Sequence, residues 1–319
     1  MPSVYIKPSE IVRVFSQRFV FETPQTLLDR LDNRSVPRVV IAGADHELPM
    51  SAAADAARRG LIQPILVGPA HNIRQTADDI GWDMADAELI PTSSENVVSE
   101  SVRLILAGAG DIMAKGHIDT SQLMSAVLDR ERGLRTKSRL THAFHMTAPT
   151  WSRPLTVSDA ALNIAPDLET KRHITRNAVA VAQATGCQRP RIALLSGSEK
   201  PSERMPSSME AEQLARELND DTSADCEVAG PLAMDLAISP EAGQAKGIDG
   251  SVIGRADVVI VPNLEAGNIL YKTLVYASGA TAAGLVVGAR VPIVLTSRAD
   301  PASARLTSFA LAALMANGG

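Results

Sequence analysis

The chain has 319 residues, of which 45% are hydrophobic and 3% aromatic, and its formal net charge is −5. Single cores stop growing near 250–300 residues, about the length of this chain, and aliphatic residues without many aromatics favour α/β layers, so two α/β domains are expected. No Lys/Arg run exceeds a pair, which excludes the basic surface that binds nucleic acid, and no apolar run is long enough to span a membrane.

The N-terminal segment has charges within its apolar stretch and no signal-peptide cleavage pattern, which predicts a protein that is not secreted. Its two cysteines, Cys187 and Cys226, have no metal-ligand spacing. They indicate neither a disulfide framework nor a zinc site, and a cytoplasmic location is expected.

The first half of the chain alternates short apolar runs with helix-like segments. The strand-like runs are VPRVVIAGA (36–44), PILVG (64–68), ELIPT (88–92) and DIMAKGH (111–117). The helix-like segments cover residues 49–59, 71–80, 95–107 and 121–130. This alternation predicts right-handed βαβ crossovers and a mainly parallel sheet.

The pattern changes between residues 140 and 160, where two extended runs follow each other without a helix, and this marks a domain crossing. A second α/β layer follows. It comprises a helix over 168–185, the run RIALLSGS, a helix near 209–217, the runs PLAMDLAIS and ADVVIVPNL, a helix over 268–278, one or two strands within 284–298, and a closing helix over 302–316.

The loop at 196–208 lies between a predicted strand and a predicted helix. Its hydroxyls and backbone N–H groups could hold an anion, with Ser196, Ser198, Lys200, Ser207 and Ser208 as the candidate ligand residues. The structural alternative is an ordinary turn in which Ser207 or Ser208 caps the helix.

The segment PNLEAGN (262–268) is a second sharp strand exit, with Asn263, Glu265 and Asn268 as candidate substrate ligands. Ligands of parallel α/β sheets bind outside the carboxyl ends of the strands, which favours function here. The alternative is that Asn268 caps a helix and Glu265 lies on the surface.

The segment TSRADP (296–301) follows the most apolar strand of the chain. Arg298 could hold a phosphate or a developing carbonyl charge, and Ser297 could donate a hydrogen bond to the same oxygen. Asp300 has two interpretations, because an Asp before a Pro is a typical helix N-cap but could also act as a general base.

The remaining polar residues give weaker indications. His142 and His145 lie three apart in an extended run and therefore point to opposite faces of a strand, which argues against a metal site. Most arginines fit solvated helix faces, and only Arg135 of GLRT (133–136), near the domain crossing, is retained as a candidate ligand.

Six segments together resemble the phosphate acetyl/butyryltransferase family. They are SDAALNIAPDLETK (158–171), LLSGSEKP (194–201), MPSSMEA (205–211), GPLAMDLAIS (230–239), VPNLEAGNILYK (261–272) and GARVPIVLTSRAD (288–300). KGHIDT (115–120) and GLRT resemble the butyryl branch, and the similarity runs from about residue 36 to the C-terminus.

The resemblance implies an isocitrate/isopropylmalate-dehydrogenase-like fold of two α/β domains, 1–141 plus 285–319 and 142–284, with the active site in the cleft between them. It implies reversible transfer of an acetyl, propionyl or butyryl group between coenzyme A and inorganic phosphate, by direct thiolate attack on acyl phosphate. Coenzyme A, acyl phosphate and phosphate are then substrates, no cofactor is permanently bound, and the protein is a homodimer.

The resemblance also assigns residues. Ser297 and Arg298 match the Ser–Arg pair that steadies the transition state, whereas Ala304 stands where the acetyl branch has the Asp that deprotonates the thiol. An arginine expected after KGHIDT is replaced by Met124. Either Asp300 and Arg135 substitute for these two groups, or the chain is a catalytically weak or regulatory member that binds acyl-CoA or acyl phosphate.

Overall fold

The computed structural model describes residues 22–148, 150–221, 225–296 and 300–318. The strands are β1 Arg38–Ala42, β2 Gln63–Gly68, β3 Glu88–Pro91, β4 Ile112–Lys115, β5 Thr141–Thr147, β6 Leu155–Ser158, β7 Arg191–Leu195, β8 Glu227–Leu232, β9 Val258–Ile260, β10 Thr281–Val287 and β11 Ile293–Val294. The α-helices are α1 Gln25–Leu28, α2 Glu47–Arg58, α3 Ala70–Asp79, α4 Val97–Leu106, α5 Thr120–Val127, α6 Leu168–Ala184, α7 Pro206–Asp220, α8 Met234–Ile238, α9 Pro240–Lys246, α10 Leu264–Ser278 and α11 Ala302–Ala316.

All of these strands belong to one sheet, with the order β3-β2-β1-β4-β11-β10-β5-β6-β9-β7-β8. Among the described residues, β10 is antiparallel to β11 and β5, β5 is antiparallel to β6, and every other neighbouring pair is parallel. The predicted α/β class with a mainly parallel sheet is therefore confirmed. The antiparallel centre includes β5 and β6. These two strands follow each other without an intervening helix, and a short connection between neighbouring strands makes them antiparallel.

Both faces of the sheet are buried. In β1, Val39 and Ile41 enter one hydrophobic cluster while Val40 and Ala42 enter another, because successive side chains point to opposite faces. Two further clusters lie between residues 144 and 282. The boundaries of the two predicted domains fall at the paired strands β5 and β10, and the division itself stays a prediction.

Helix α11 is internal. Its residues from Ala304 to Leu314 are buried, and it packs against β10, α2 and α6. A helix that is apolar on every side needs such a central place. The helix therefore fixes the position of Pro301, its N-cap residue. In the part of the chain that the structure describes, no helix combines the length and hydropathy needed to cross a bilayer.

Several predicted elements differ in their limits. The helix predicted over 268–278 begins at Leu264, and the run PLAMDLAIS divides into the end of β8 and the helix α8. Pro231 is tolerated in β8 because this strand is at the edge of the sheet, where a missing N–H breaks no ladder.

The buried histidines of β5 make folding sensitive to pH. Burial lowers the pKa of both His142 and His145 to about 4. Between about pH 6.5 and 4 the unfolded chain thus binds more protons than the folded chain, so stability falls as the pH falls through this window. From pH 7 to 5 we expect a loss of about 2 kcal/mol of unfolding free energy per histidine.

Urea unfolding of the wild type and His145→Asn at both pH values measures this effect. The variant should lose less stability than the wild type on acidification. The matched control is His71→Asn, which changes an exposed histidine of α3 and should keep the wild-type slope. Equal slopes for wild type and His145→Asn would contradict the expectation.

Candidate active site

The polar loop after β11 connects two rigid elements. Thr296 is the last residue described before it and Asp300 the first described after it, while Ser297 and Arg298 lie outside the described residues. The helix α11 has Pro301 at its N-cap with no side-chain cap hydrogen bond. The alternative in which Asp300 is the N-cap is therefore wrong, because the helix begins one residue too late for it.

Asp300 instead meets the opposite half of the sheet. The hydroxyl of Tyr271, on α10, donates a hydrogen bond to Oδ1 of Asp300 at 3.4 Å. Burial, and then the Asp300 carboxylate, raises the pKa of Tyr271 above its usual range. The phenol accordingly stays protonated near neutral pH and acts as a donor. Sequence reasoning missed Tyr271, and the motif VPNLEAGNILYK was the only signal for it.

A cavity of about 120 Å³ lies at the carboxyl ends of β1, β4 and β11. It is lined by Lys115 and Arg305 together with Thr296, His46 and His117, among others. Two cationic side chains, Lys115 and Arg305, thus line the cavity beside Thr296, and such side chains suit an anionic ligand.

The lining residues are held by local contacts. Lys115 Nζ donates to the carbonyls of Gly116 and Ile118 at 3.2 and 3.1 Å. Arg305 is only 7% exposed because it lies on the internal helix α11. Neither residue was among the candidates. Lys115 lies in the segment KGHIDT, whereas no motif contains Arg305.

In the loop at 196–208 the structure brings Ser196 and Ser207 together, with their hydroxyl oxygens 3.1 Å apart. Ser208 is fully buried, and its hydroxyl accepts from the backbone of Ser202 and donates to the carbonyl of Met205. Ser208 thus holds the loop. The N-cap of α7 is Met205, so the alternative in which Ser207 or Ser208 is the N-cap is wrong.

The other two candidate residues of that loop, Ser198 and Lys200, are more exposed. Ser198 Oγ accepts the backbone N–H of Lys200 at 3.1 Å, and the Lys200 side chain is exposed. The first part of the loop is therefore a solvent-facing turn, with the cation of Lys200 at the surface.

The second strand exit forms the start of α10. Asn263 is its N-cap and accepts the N–H of Ala266, whereas Asn268 lies inside the helix and donates to the Ala160 carbonyl at 3.4 Å. The alternative in which Asn268 is the cap is therefore wrong. Glu265 is exposed in the first turn of the helix, as the structural alternative has it, and its role as a substrate ligand stays a prediction.

These two strand exits are neighbours. β7 and β9 are parallel and adjacent, with Leu194 opposite Ile260, so the segments that follow them leave the same edge of the sheet. Ser207 and Pro262 line one narrow space together with Lys171, which forms a partly buried ion pair with Glu210.

Strand β11, which precedes residues 297–300 in the chain, ends at a different edge of the sheet. Three strand reversals separate β11 from β6, β9 and β7, so the carboxyl ends of the two sets do not share an edge. Because each strand is rotated by roughly 20° relative to its neighbour, β7 lies at about a right angle to β11. The contact between Tyr271 and Asp300 links the two sets.

Arg135 lines a cavity of about 350 Å³ between the loop after β6 and helix α5. Met124, at the position where an arginine was expected, lines the same cavity, as does Asn163. The amide of Asn163 is oriented by its donation to Oδ2 of Asp159 at 2.6 Å. Asp159 and Asn163 were missed as single residues, although both lie in the segment SDAALN.

Asp159 organises the start of this cavity. Its carboxylate also accepts the backbone N–H groups of His142, Ala161 and Leu162. A buried carboxylate with several donors rigidifies the loop between β6 and α6. Among the described residues, no cluster of three or more His, Cys, Asp or Glu side chains could hold a metal ion.

Comparisons with known proteins identify relatives of this chain. The family model described as "Phosphate acetyl/butaryl transferase" matches residues 94–313. The chain is 43% identical to the phosphate acetyltransferase of Rhizobium meliloti over 278 residues, which cover 87% of this chain and 88% of that protein. It is 38% identical to the phosphate butyryltransferase of Clostridium beijerinckii over 291 residues, 91% of this chain and 96% of that protein.

A solved structure is also similar. The crystal structure of a branched-chain phosphotransacylase from Enterococcus faecalis V583 superposes with a TM-score of 0.76 at 33% identity, and the match covers 88% of this chain and 99% of that one. The likeness thus includes both halves of the sheet.

Proposed function

The chain belongs to the phosphate acetyl/butyryl transferase family, and we propose that it transfers a short acyl group reversibly between coenzyme A and inorganic phosphate. The observation that carries this function is the identity of 43% and 38% to an acetyl- and a butyryltransferase over about nine-tenths of the chain. Acetyl, propionyl and butyryl groups are the candidate acyl chains, and coenzyme A is a substrate rather than a resident cofactor.

The chemistry is a direct acyl transfer. The thiolate sulfur of coenzyme A attacks the carbonyl carbon of the acyl phosphate, a C–S bond forms, and the C–O bond to phosphate breaks with release of inorganic phosphate. The thiol proton passes to a base before or during attack. Such a reaction needs a base, a hydrogen-bond donor to the oxyanion and a cation for the phosphoryl group.

In this proposal Asp300 is the base, Ser297 donates to the oxyanion and Arg298 binds the phosphoryl group. The contact of Asp300 with Tyr271 supports the first role, because it holds the carboxylate where the loop meets the other half of the sheet. The basic cavity lined by Lys115 and Arg305 beside Thr296 supports an anionic substrate at this edge.

Binding of coenzyme A and acyl phosphate is assigned to the cleft between the two predicted domains. The candidate ligands are Ser196, Ser198, Lys200, Ser207, Asn263, Glu265, Asn268 and Arg135. Ser208 supports the loop through its buried hydroxyl. Arg135 and Met124 share one cavity, which supports Arg135 as the substitute for the expected arginine. A homodimer in the cytoplasm completes the proposal.

The test is phosphate-dependent release of free coenzyme A thiol from the purified protein, with acetyl-, propionyl- and butyryl-CoA assayed in parallel. We expect release that requires phosphate and is reversed by acyl phosphate plus coenzyme A. The three rates then rank the acyl chains, although one methylene changes the discrimination by only about 1–3 kcal/mol. Binding of coenzyme A without any phosphate-dependent release would overturn the proposed function.

A further inference from the structure

The side chain of Tyr271 lies in a stack of rings. It packs on Phe144 of β5 with the ring centroids 3.8 Å apart and the planes within 5° of parallel. Phe144 in turn contacts the ring of His142, with centroids 4.3 Å apart. Stacked rings of this kind hold each other in a defined plane.

The backbone of the neighbouring strand β10 also packs against the stacked rings. A Cβ atom at Gly284 of β10 would lie 3.0 Å from Phe144 and 3.1 Å from His142, so the strand backbone packs directly against both rings. Phe144 and His142 are 9% and 2% exposed. Tyr271 therefore rests on a rigid, buried support and has little freedom to rotate.

The rigid ring presents its hydroxyl to the Asp300 carboxylate. Asp300 lies between the short strand β11 and the start of α11, whose N-cap is Pro301. Tyr271 donates to Oδ1 of Asp300 from the other half of the sheet, 29 residues earlier in the chain. One fixed donor thus restrains the orientation of a carboxylate on a loop.

We propose that Tyr271 is a positioning residue for acyl transfer, whose hydroxyl holds the Asp300 carboxylate in the orientation that accepts the proton of the coenzyme A thiol. The inference rests on the proposed function. Catalytic groups must be held within about 0.5 Å of their productive geometry, and a second shell of hydrogen bonds on rigid elements supplies this precision.

The test is Tyr271→Phe, which keeps the stacked ring and removes the hydroxyl. We expect kcat to fall about 10- to 50-fold, as for the loss of one hydrogen bond to a charged group. The KM values for coenzyme A and acyl phosphate should stay within about twofold, since a positioning role acts on the transition state. The acidic limb of the pH profile should move to higher pH, because the carboxylate loses a donor.

The matched control is Tyr276→Phe, on the same helix but 64% exposed, which should leave kcat and the pH profile unchanged. In the double variant with Asp300→Asn, Tyr271→Phe should add no further loss, because one residue acts through the other. A structural role would instead lower the melting temperature and leave the pH profile in place, and would overturn the inference.

The outcomes separate the two proposals. A wild type without phosphate-dependent thiol release would contradict the function itself. An active wild type with a fully active Tyr271→Phe variant, or losses that multiply in the double variant, would contradict the positioning role alone. Phe144→Leu gives a second probe, since it loosens the ring support without removing the hydroxyl and should also lower kcat with little change in KM.

Discussion

Replacing Arg298 by alanine is expected to lower kcat for acyl transfer by about 10²- to 10³-fold while the protein stays folded. In the proposed role, the guanidinium group of Arg298 would bind phosphoryl oxygens through two parallel N–H donors, an interaction that strengthens as negative charge develops in the transition state. Loss of one such preorganised donor group typically has this magnitude. Steady-state rates of thiol release, together with a melting curve, measure the effect.

The matched control is Arg290→Ala. Arg290 is an exposed arginine eight residues earlier, whose backbone N–H donates to Leu134. It makes the same change of charge near the same strand and should leave the rate within about twofold. Arg298→Lys should recover only part of the activity, because a lysine is a point charge without the planar fork. Near-normal turnover of Arg298→Ala would remove this residue from the catalytic assignment.

The fold was predictable because its signals are local. Short apolar runs, each followed by a helical segment, predicted the parallel parts of the sheet and its α/β class. The first residue of a helix was less predictable where two nearby residues could each be its N-cap. Asn263 and Asn268 both suit a helix cap, and only the backbone, extended at Asn263, selects the first.

The site was predictable only where a motif marks it. Asp300 stands in a polar segment after an apolar strand, whereas Tyr271 and Arg305 lie in helices and look like ordinary amphipathic or surface positions. Their roles depend on packing across the sheet. Residues 29 positions apart come together through a strand order that sequence periodicity does not encode.

Ala304, which stands where the resemblance to the acetyl branch implied an aspartate, is buried. Ala304 is 5% exposed on the internal helix α11, and its carbonyl accepts from the Ser308 hydroxyl. A carboxylate at this position would have to be desolvated in a packed helix, which is costly. Asp300 is only partly buried and lies at the loop end nearest to Ser297 and Arg298 in sequence. The burial of position 304 therefore favours Asp300 as the base.

Asp300→Asn should consequently lower kcat about 10²- to 10⁴-fold at pH 7, the usual contribution of a general base. The variant keeps the volume of the side chain, and Pro301 remains the helix N-cap, so the melting temperature should change little. Asp249→Asn, which changes an exposed aspartate of a surface loop, is the matched control and should behave like the wild type.

The pH dependence distinguishes a base from a group that only shapes the site. The alkyl thiol of coenzyme A titrates above the pKa of about 8.5 of a cysteine thiol, so its thiolate fraction rises on the order of a hundredfold between pH 7 and 9.5 without any help from the protein. In the direction of acyl phosphate plus coenzyme A, the deficit of Asp300→Asn relative to wild type should therefore shrink at least tenfold between pH 7 and 9.5. A deficit that stays constant over this range would mean that Asp300 acts through structure or charge, and proton removal would have to be assigned to another residue.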